Sequence, residues 1–550
     1  MSDMEKHKKM KTKKGSILVF ALVAVVIAAI TLTSLLTYIA SQIRYSKDRV
    51  ERERAFQVAE AGAYYYRWYL AHTVAGKDAE QIKNFWESTS PYPKGVGTPY
   101  EVEYKDPEGS AIGKYKIEVT KPILGSTIVT VKSTGWTYLK PDVKRIVQVR
   151  FRRPSWSENS VLANENMNFG NGTVISGKIH SNKGIRFDAI TDNVVSSSLA
   201  SYDDPDHNDT NKEFGVHTHR TTCNPGTILW NGTNWYCSTM EWTGIPFVPA
   251  EAPPSTLQDR PEIFGAGRSF PVPTLDFNSI VSDISFMRSQ ATVKFDNTGK
   301  GRHIILKSST MDVCKVNSYS AYVNATNGTN GITNYNGIIS GATNGTNGNA
   351  CTTNACCLAA SCASLGGNKG KCVSATNYTI PDYGIIFVAN NVWLEGTVDK
   401  KKISVVAAEL VDEPGYTGGG KNVFVGMNDI LYANSNGLAD GSDVVGVIAQ
   451  NDVDVVRDSK DTLILDGAFL AKEGRVGRES YTGLAKTTIT VNGSIGTYSR
   501  YGFTYFTLAT GLFANGYHNR NINFDNNMLY FPPPYFPTGT EYAIDLWDEL

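Results

Sequence analysis

The chain has 550 residues, with Lys+Arg 53 balanced against Asp+Glu 53 and 50 glycines. That length exceeds one ordinary hydrophobic core, so two or more domains are expected. Balanced charge, with no basic tract beyond the first residues, argues against nucleic acid as a main partner.

Residues 1–15 form a basic leader containing Lys6, Lys8, Lys9, Lys11, Lys13 and Lys14, and residues 16–43 carry no charged side chain. A bilayer core needs about 20 apolar residues as helix, so this run can span it. The lysines place the leader in the cytoplasm and the rest of the chain outside. A cleaved secretory signal has an apolar core of only about 7–15 residues, so the run reads as an anchor. It continues through a charged, helix-forming stretch (residues 44–54) into Ala55-Phe56-Gln57-Val58-Ala59-Glu60-Ala61-Gly62. One helix is therefore predicted over residues 16–73, reaching roughly 85 Å, with its first half in lipid. The small residues Ala59, Ala61 and Gly62 also suit simple close packing of one helix on a neighbour.

A basic leader ending in Gly15, followed at Ser16 by an apolar helix with a charged second half, resembles a type IV prepilin. The AFQxAEAG sequence resembles the N-terminal signature of PilX-type minor pilins. The resemblance implies a cut by prepilin peptidase between Gly15 and Ser16, methylation of Ser16, and partnership with other pilin subunits and the pilus assembly machinery. It assigns Ala59, Glu60 and Gly62 to assembly. Pilins of this kind typically carry Glu as the fifth mature residue, where this chain has Phe20.

From residue 99 to 153 the apolar period changes to two, which predicts half-buried antiparallel strands packed on the aromatic end of the helix (Tyr64, Tyr65, Tyr66, Trp68, Tyr69). Residues 74–153 would complete an α+β, pilin-like head. After Pro154 a polar Asn, Asp or Gly corner followed by a short alternating strand recurs at residues 163–169, 181–187, 389–394, 427–432, 450–455 and 471–476. Where these repeats are consecutive they lie about 18–23 residues apart, with a second strand before most corners, which predicts a mostly-β body over residues 154–523, a β-solenoid (β-helix). A β-sandwich is the alternative.

Two insertions, at about 197–273 and 308–377, interrupt the coils. The first carries Asp203, Asp204, Asp206 and Asp209, then His217 and His219. It lacks the spacing of a calcium loop, and the histidines have no evident third ligand, so a solvated loop is expected and no metal or other cofactor is assigned. The second is low in complexity. Between them, residues 277–291 read as an amphipathic helix covering one side of the solenoid. Residues 524–550, with three consecutive prolines, are expected to form an extended tail capping the last coil.

All eight cysteines fall in the insertions: Cys223, Cys237, Cys314, Cys351, Cys356, Cys357, Cys362 and Cys372. An even number in an extracytoplasmic context predicts disulfides, Cys223 with Cys237 and the other six among themselves. No nucleophile elbow, zincin motif or P-loop is present, so no catalytic residue is assigned. Acids such as Asp452, Asp454 and Asp458, with Arg457, leave open a membrane-anchored β-helix lyase or hydrolase of surface polysaccharide. The expected function is instead a minor pilin or pseudopilin-like subunit, exposed on the cell surface, its body serving adhesion, display or assembly priming.

Overall fold

The computed structural model describes residues 16–550 except 124–125, 171, 207–209, 221–227, 231–234, 238–250, 278–279, 300, 317–371, 434–440, 457–458, 482, 507–512 and 540. It opens with one continuous helix, α1 (Ser16–Thr73), of 58 residues. A short helix α2 (Ala79–Glu87) follows, started by a capping box. The Asp78 carboxylate accepts the Gln81 N–H (2.7 Å), and the Gln81 side chain accepts the Asp78 N–H (3.3 Å).

Four strands, β1 (Tyr100–Lys105), β2 (Ala111–Thr120), β3 (Ile128–Thr137) and β4 (Lys144–Arg152), pair antiparallel in sequence order. Their alternation buries Ile117, Val129, Val131, Val147, Val149 and Phe151 at 0% exposure against Val58, Ala59, Ala63, Tyr66 and Leu70 of α1. Each such aliphatic or aromatic side chain contributes roughly 1.5–3 kcal/mol by leaving water.

The fifth strand of this sheet corrects the expectation for the tail. β5 (Ala543–Glu549) pairs antiparallel with β4 from Ala543↔Arg152 to Glu549↔Val147. Arg150 pairs with Asp545, and the Trp547 ring lies 5.5 Å from that of Tyr64. The C-terminus therefore ends in the head, because β4 presents an open edge that an alternating strand can satisfy, while the Pro-rich part of the tail lies along the body, with the Ser404 hydroxyl donating to Pro534 O and Met528 and Phe536 packed near Phe387.

The body between β4 and β5 is built mainly of short strands in parallel register, joined in a sheet of 22 strands. One column runs 293–295, 383–388, 402–407, 444–449, 468–471 and 494–497. A second runs 392–393, 423–425, 453–455 and 476–478. A third joins 396–398, 430–432, 465, 491, 522 and 175. The inward aliphatic side chains of these strands fill one shared core, and the outward ones of the first column form a second cluster. Parallel strands buried on both faces account for the unbroken apolar runs 385–388 and 444–449.

Strand order in the stack differs from chain order. The strand ending at Thr497 pairs in parallel with Val161–Ala163, the first strand of the body, and Ile495 N–H donates to Ser160 O (2.9 Å). From there the stack continues through Ile179–Ser181 and Val195–Ser197. The late strand is thus covered by the first, and the edge that the tail was expected to shield lies inside the stack. Helix α3 (Ile280–Ser289) places Ile284 and Met287 over the outer side of the first column, beside Phe387, Val406 and Phe536.

Candidate functional site: the anchor helix and two side-chain clusters of the body

Among the described residues, nothing packs against the first half of α1. Its large side chains stand exposed, Ile17 at 77% and Phe20 at 74%. Its hydroxyls return to the helix itself, Thr31 to Ala28 O (2.9 Å), Thr33 to Ala29 O (2.7 Å) and Thr37 to Thr33 O (2.8 Å). These hydroxyls are thereby provided for within the helix, as suits a hydrocarbon environment. This helix is long and apolar enough to cross a membrane.

The second half of α1 turns to the sheet. Glu51, 3% exposed, accepts from the Thr137 hydroxyl (2.6 Å) and Arg54 (2.9 Å). Beyond it the small residues sit at points of closest approach. A Cβ on Gly135 of β3 would lie 2.3 Å from Ala59 N and 2.4 Å from Ala55 O, and one on Gly62 would lie 2.2 Å from Ser133 Oγ. Ala59 and Gly62, expected as assembly residues, are therefore committed to the head's own core, whose sheet demands that spacing; Glu60 alone of the three is not fully buried. Ser16 begins α1, and Gly15 lies outside the described residues.

The polar corners of the body form a hydrogen-bond ladder between successive strand layers. Asn391 Oδ1 accepts Asn422 N–H (2.8 Å), and Asn422 Oδ1 accepts Asn451 Nδ2 (3.0 Å) and Asp452 N–H (3.1 Å). Asp452 Oδ1 in turn accepts Arg475 N–H (2.8 Å). Asp429 and Asp461 similarly accept the amides of Ile464 (2.9 Å) and Thr487 (3.0 Å). Such bonds satisfy backbone donors where the chain turns. Asp454, deeply buried and near Glu479 and Asp452, is pushed well above the usual carboxylate range by burial first and by those charges next, with Arg475 and Arg478 opposing. Arg457 and Asp458 lie outside the described residues.

The first insertion holds a cluster that the sequence did not assemble. Ser201–Tyr202 and Glu213–Phe214 pair as an antiparallel ribbon, which places Asp204 beside the next strand, Val216–His217. Asp204 is 2% exposed and His217 0%, so neither belongs to the solvated loop expected there. Asp204 Oδ1 accepts Asp206 N–H (3.1 Å), while Asp204 Oδ2 stands 3.5 Å from His217 Nε2. One ligand atom from each of Asp204, His217 and His219 lies within 4.8 Å of the others. Around them, Asp206 is bound by Arg500 (2.9 and 2.6 Å) and Asn168 (2.7 Å). Buried Asp188 accepts from His219 N–H (2.8 Å), the Thr218 hydroxyl (3.2 Å) and Arg186 Nε (2.8 Å). Burial raises the Asp188 carboxyl, but Arg186 and His219 outweigh it and hold it low.

Of the cysteines, Cys223, Cys351, Cys356, Cys357 and Cys362 lie outside the described residues; Cys237, Cys314 and Cys372 are placed by their backbone, in the strands Trp235–Cys237, Thr310–Val316 and Cys372–Thr379. The expected pairings fall outside what the structure describes.

No family model matches the chain, and no curated protein matches it. Among solved structures it is similar to the competence-associated pilin ComZ from Thermus thermophilus, with a TM-score of 0.29 and 12% sequence identity over 91% of this chain and 98% of that one. A likeness that slight carries no argument by itself.

Proposed function

We propose that the chain is a pilin-like subunit, anchored by α1 until it enters a filament and carrying an extracytoplasmic β-solenoid body for adhesion, display or assembly priming. One observation carries this reading. A single helix is bare and apolar over its first half and buried against an antiparallel sheet over its second. A bare apolar helix must be covered by lipid or by like helices, and moving between those two environments is what a filament subunit does. The Gly15-Ser16 junction and the AFQxAEAG sequence agree with it. The solenoid reading rests on the three columns of parallel strands. No catalytic role is assigned to Asp452, whose Oδ1 is engaged by the Arg475 backbone amide.

The subunit's place is the filament tip. Phe20, where the resembling family has Glu, cannot offset the terminal ammonium of an adjoining subunit, a pairing that matters because a buried unpaired charge is costly. A large body also fits an end better than a shaft. The test is immunogold labelling of the body together with intact-protein mass spectrometry. The expected result is a chain beginning at methylated Ser16 with label at filament ends, and Gly15→Leu retaining the leader with label confined to the cell membrane. An unprocessed wild-type chain in cells with active prepilin peptidase, or label spread evenly along sheared filaments, would overturn the reading.

A further inference from the structure

We propose that Asp204, His217 and His219 hold a divalent transition-metal ion, zinc by the chemistry of the donors. Two imidazoles and one carboxylate are a common zinc set, completed by water or a fourth ligand, whereas calcium and magnesium take oxygen alone. The spacing fits. Ligands about 2.1 Å from a tetrahedral ion lie about 3.4 Å from one another, and Asp204 Oδ2 is 3.5 Å from His217 Nε2. One ring nitrogen of His219 lies within 4.8 Å of a ligand atom of each of the other two, so closing on an ion asks at most about 1.4 Å of it.

The local chain explains why these three residues meet. His217 ends a strand in parallel register with Ile185–Phe187 (His217↔Arg186), and His219 follows two residues on, so an extended backbone sends both imidazoles to one side. Their ring centroids are 5.1 Å apart and tilted by 39°, and the His217 ring lies 5.5 Å from that of Tyr202. Asp188 holds the backbone at His219 by accepting its amide N–H (2.8 Å). Buried Glu213 lies beside Asp204, its Oε2 accepting the Asp204 N–H (3.0 Å). His219 is partly exposed, which opens one coordination position toward solvent. The ion would clasp the ribbon of the first insertion to the coil beneath it.

The test uses the full-length protein in detergent, with thiols alkylated so that the cysteines take no part, stripped with chelator and titrated with cobalt(II) and then zinc. One equivalent of cobalt is expected to give tetrahedral d–d absorption, bleached by zinc and untouched by calcium, and zinc is expected to raise the Tm. His219→Ala keeps the backbone bond to Asp188. It should match the wild type in chelator but bind at least about tenfold more weakly and lose the zinc-induced rise. His217→Ala should also lose the absorption. Equal cobalt binding by wild type and His219→Ala, or a wild type that takes up no stoichiometric ion, would overturn the site.

Discussion

Gly135→Ala tests whether helix-to-sheet spacing is what the small residues of α1 are for. The new methyl would lie 2.3 and 2.8 Å from N and Cα of Ala59 and 2.4 Å from Ala55 O. These are backbone atoms, so no rotamer relieves the contact, and α1 must retreat from β3 by about 1 Å to restore ordinary separations. Overpacking of this kind costs about 1–3 kcal/mol, and an obstruction made of backbone belongs at the upper end. Replacing glycine within a strand returns about 0.5–1 kcal/mol. The net destabilisation is then about 2 kcal/mol, or roughly 10 °C in the melting of a head of about 100 residues. Scanning calorimetry of the full chain in detergent reads this out. Gly419→Ala, whose Cβ would meet nothing within 4 Å, serves as the matched control. If Gly135→Ala melts with the control, close packing of α1 on the sheet is not what the AFQxAEAG residues secure.

Asp454→Asn is expected to stabilise the body near neutral pH. A carboxyl raised by burial contributes its stability below the unfolded value of about 4 and loses it as pH rises through the folded value, so the variant's advantage in Tm should grow with pH and vanish in acid. A variant less stable than wild type at pH 7 would refute this, and loss of a polysaccharide-cleaving activity would restore the enzymatic reading. Deleting residues 541–550 removes β5 and bares the edge of β4. The head should then melt earlier and associate through that edge, and light scattering indistinguishable from the full-length protein would count against the pairing.

Helix α1 was legible because a long uncharged run passes without interruption into a charged, helix-forming continuation. β1 to β4 were legible because each alternates over most of its length above a core on one side. α2 was missed although Asp78 and Gln81 spell a capping box, since nine residues give periodicity little to work on. β5 was misread because its partner lies near residue 150 and nothing local names it. The doubling back of the coils was hidden for the same reason: the Ile495↔Val161 pairing depends on where the chain returns, not on what either strand is. The cluster at Asp204 was hidden by a 13-residue gap to His217 that the ribbon of residues 201–214 closes; a short alternating pair flanking the acidic turn was the available signal.

The return of β5 has a mechanical meaning. Residues 153–542 hang from the head by two covalent crossings that meet at one place, Arg152 beside Ala543. Tension on the body is shared between them, and along β4 it meets the β3 bonds in shear, nine register pairs loaded together instead of peeled one by one. A protease that cuts once between the crossings releases nothing, because each fragment still ends in a strand of the head sheet. A surface module pulled by whatever it grips, and exposed to whatever digests its surroundings, would thus stay moored after a single break.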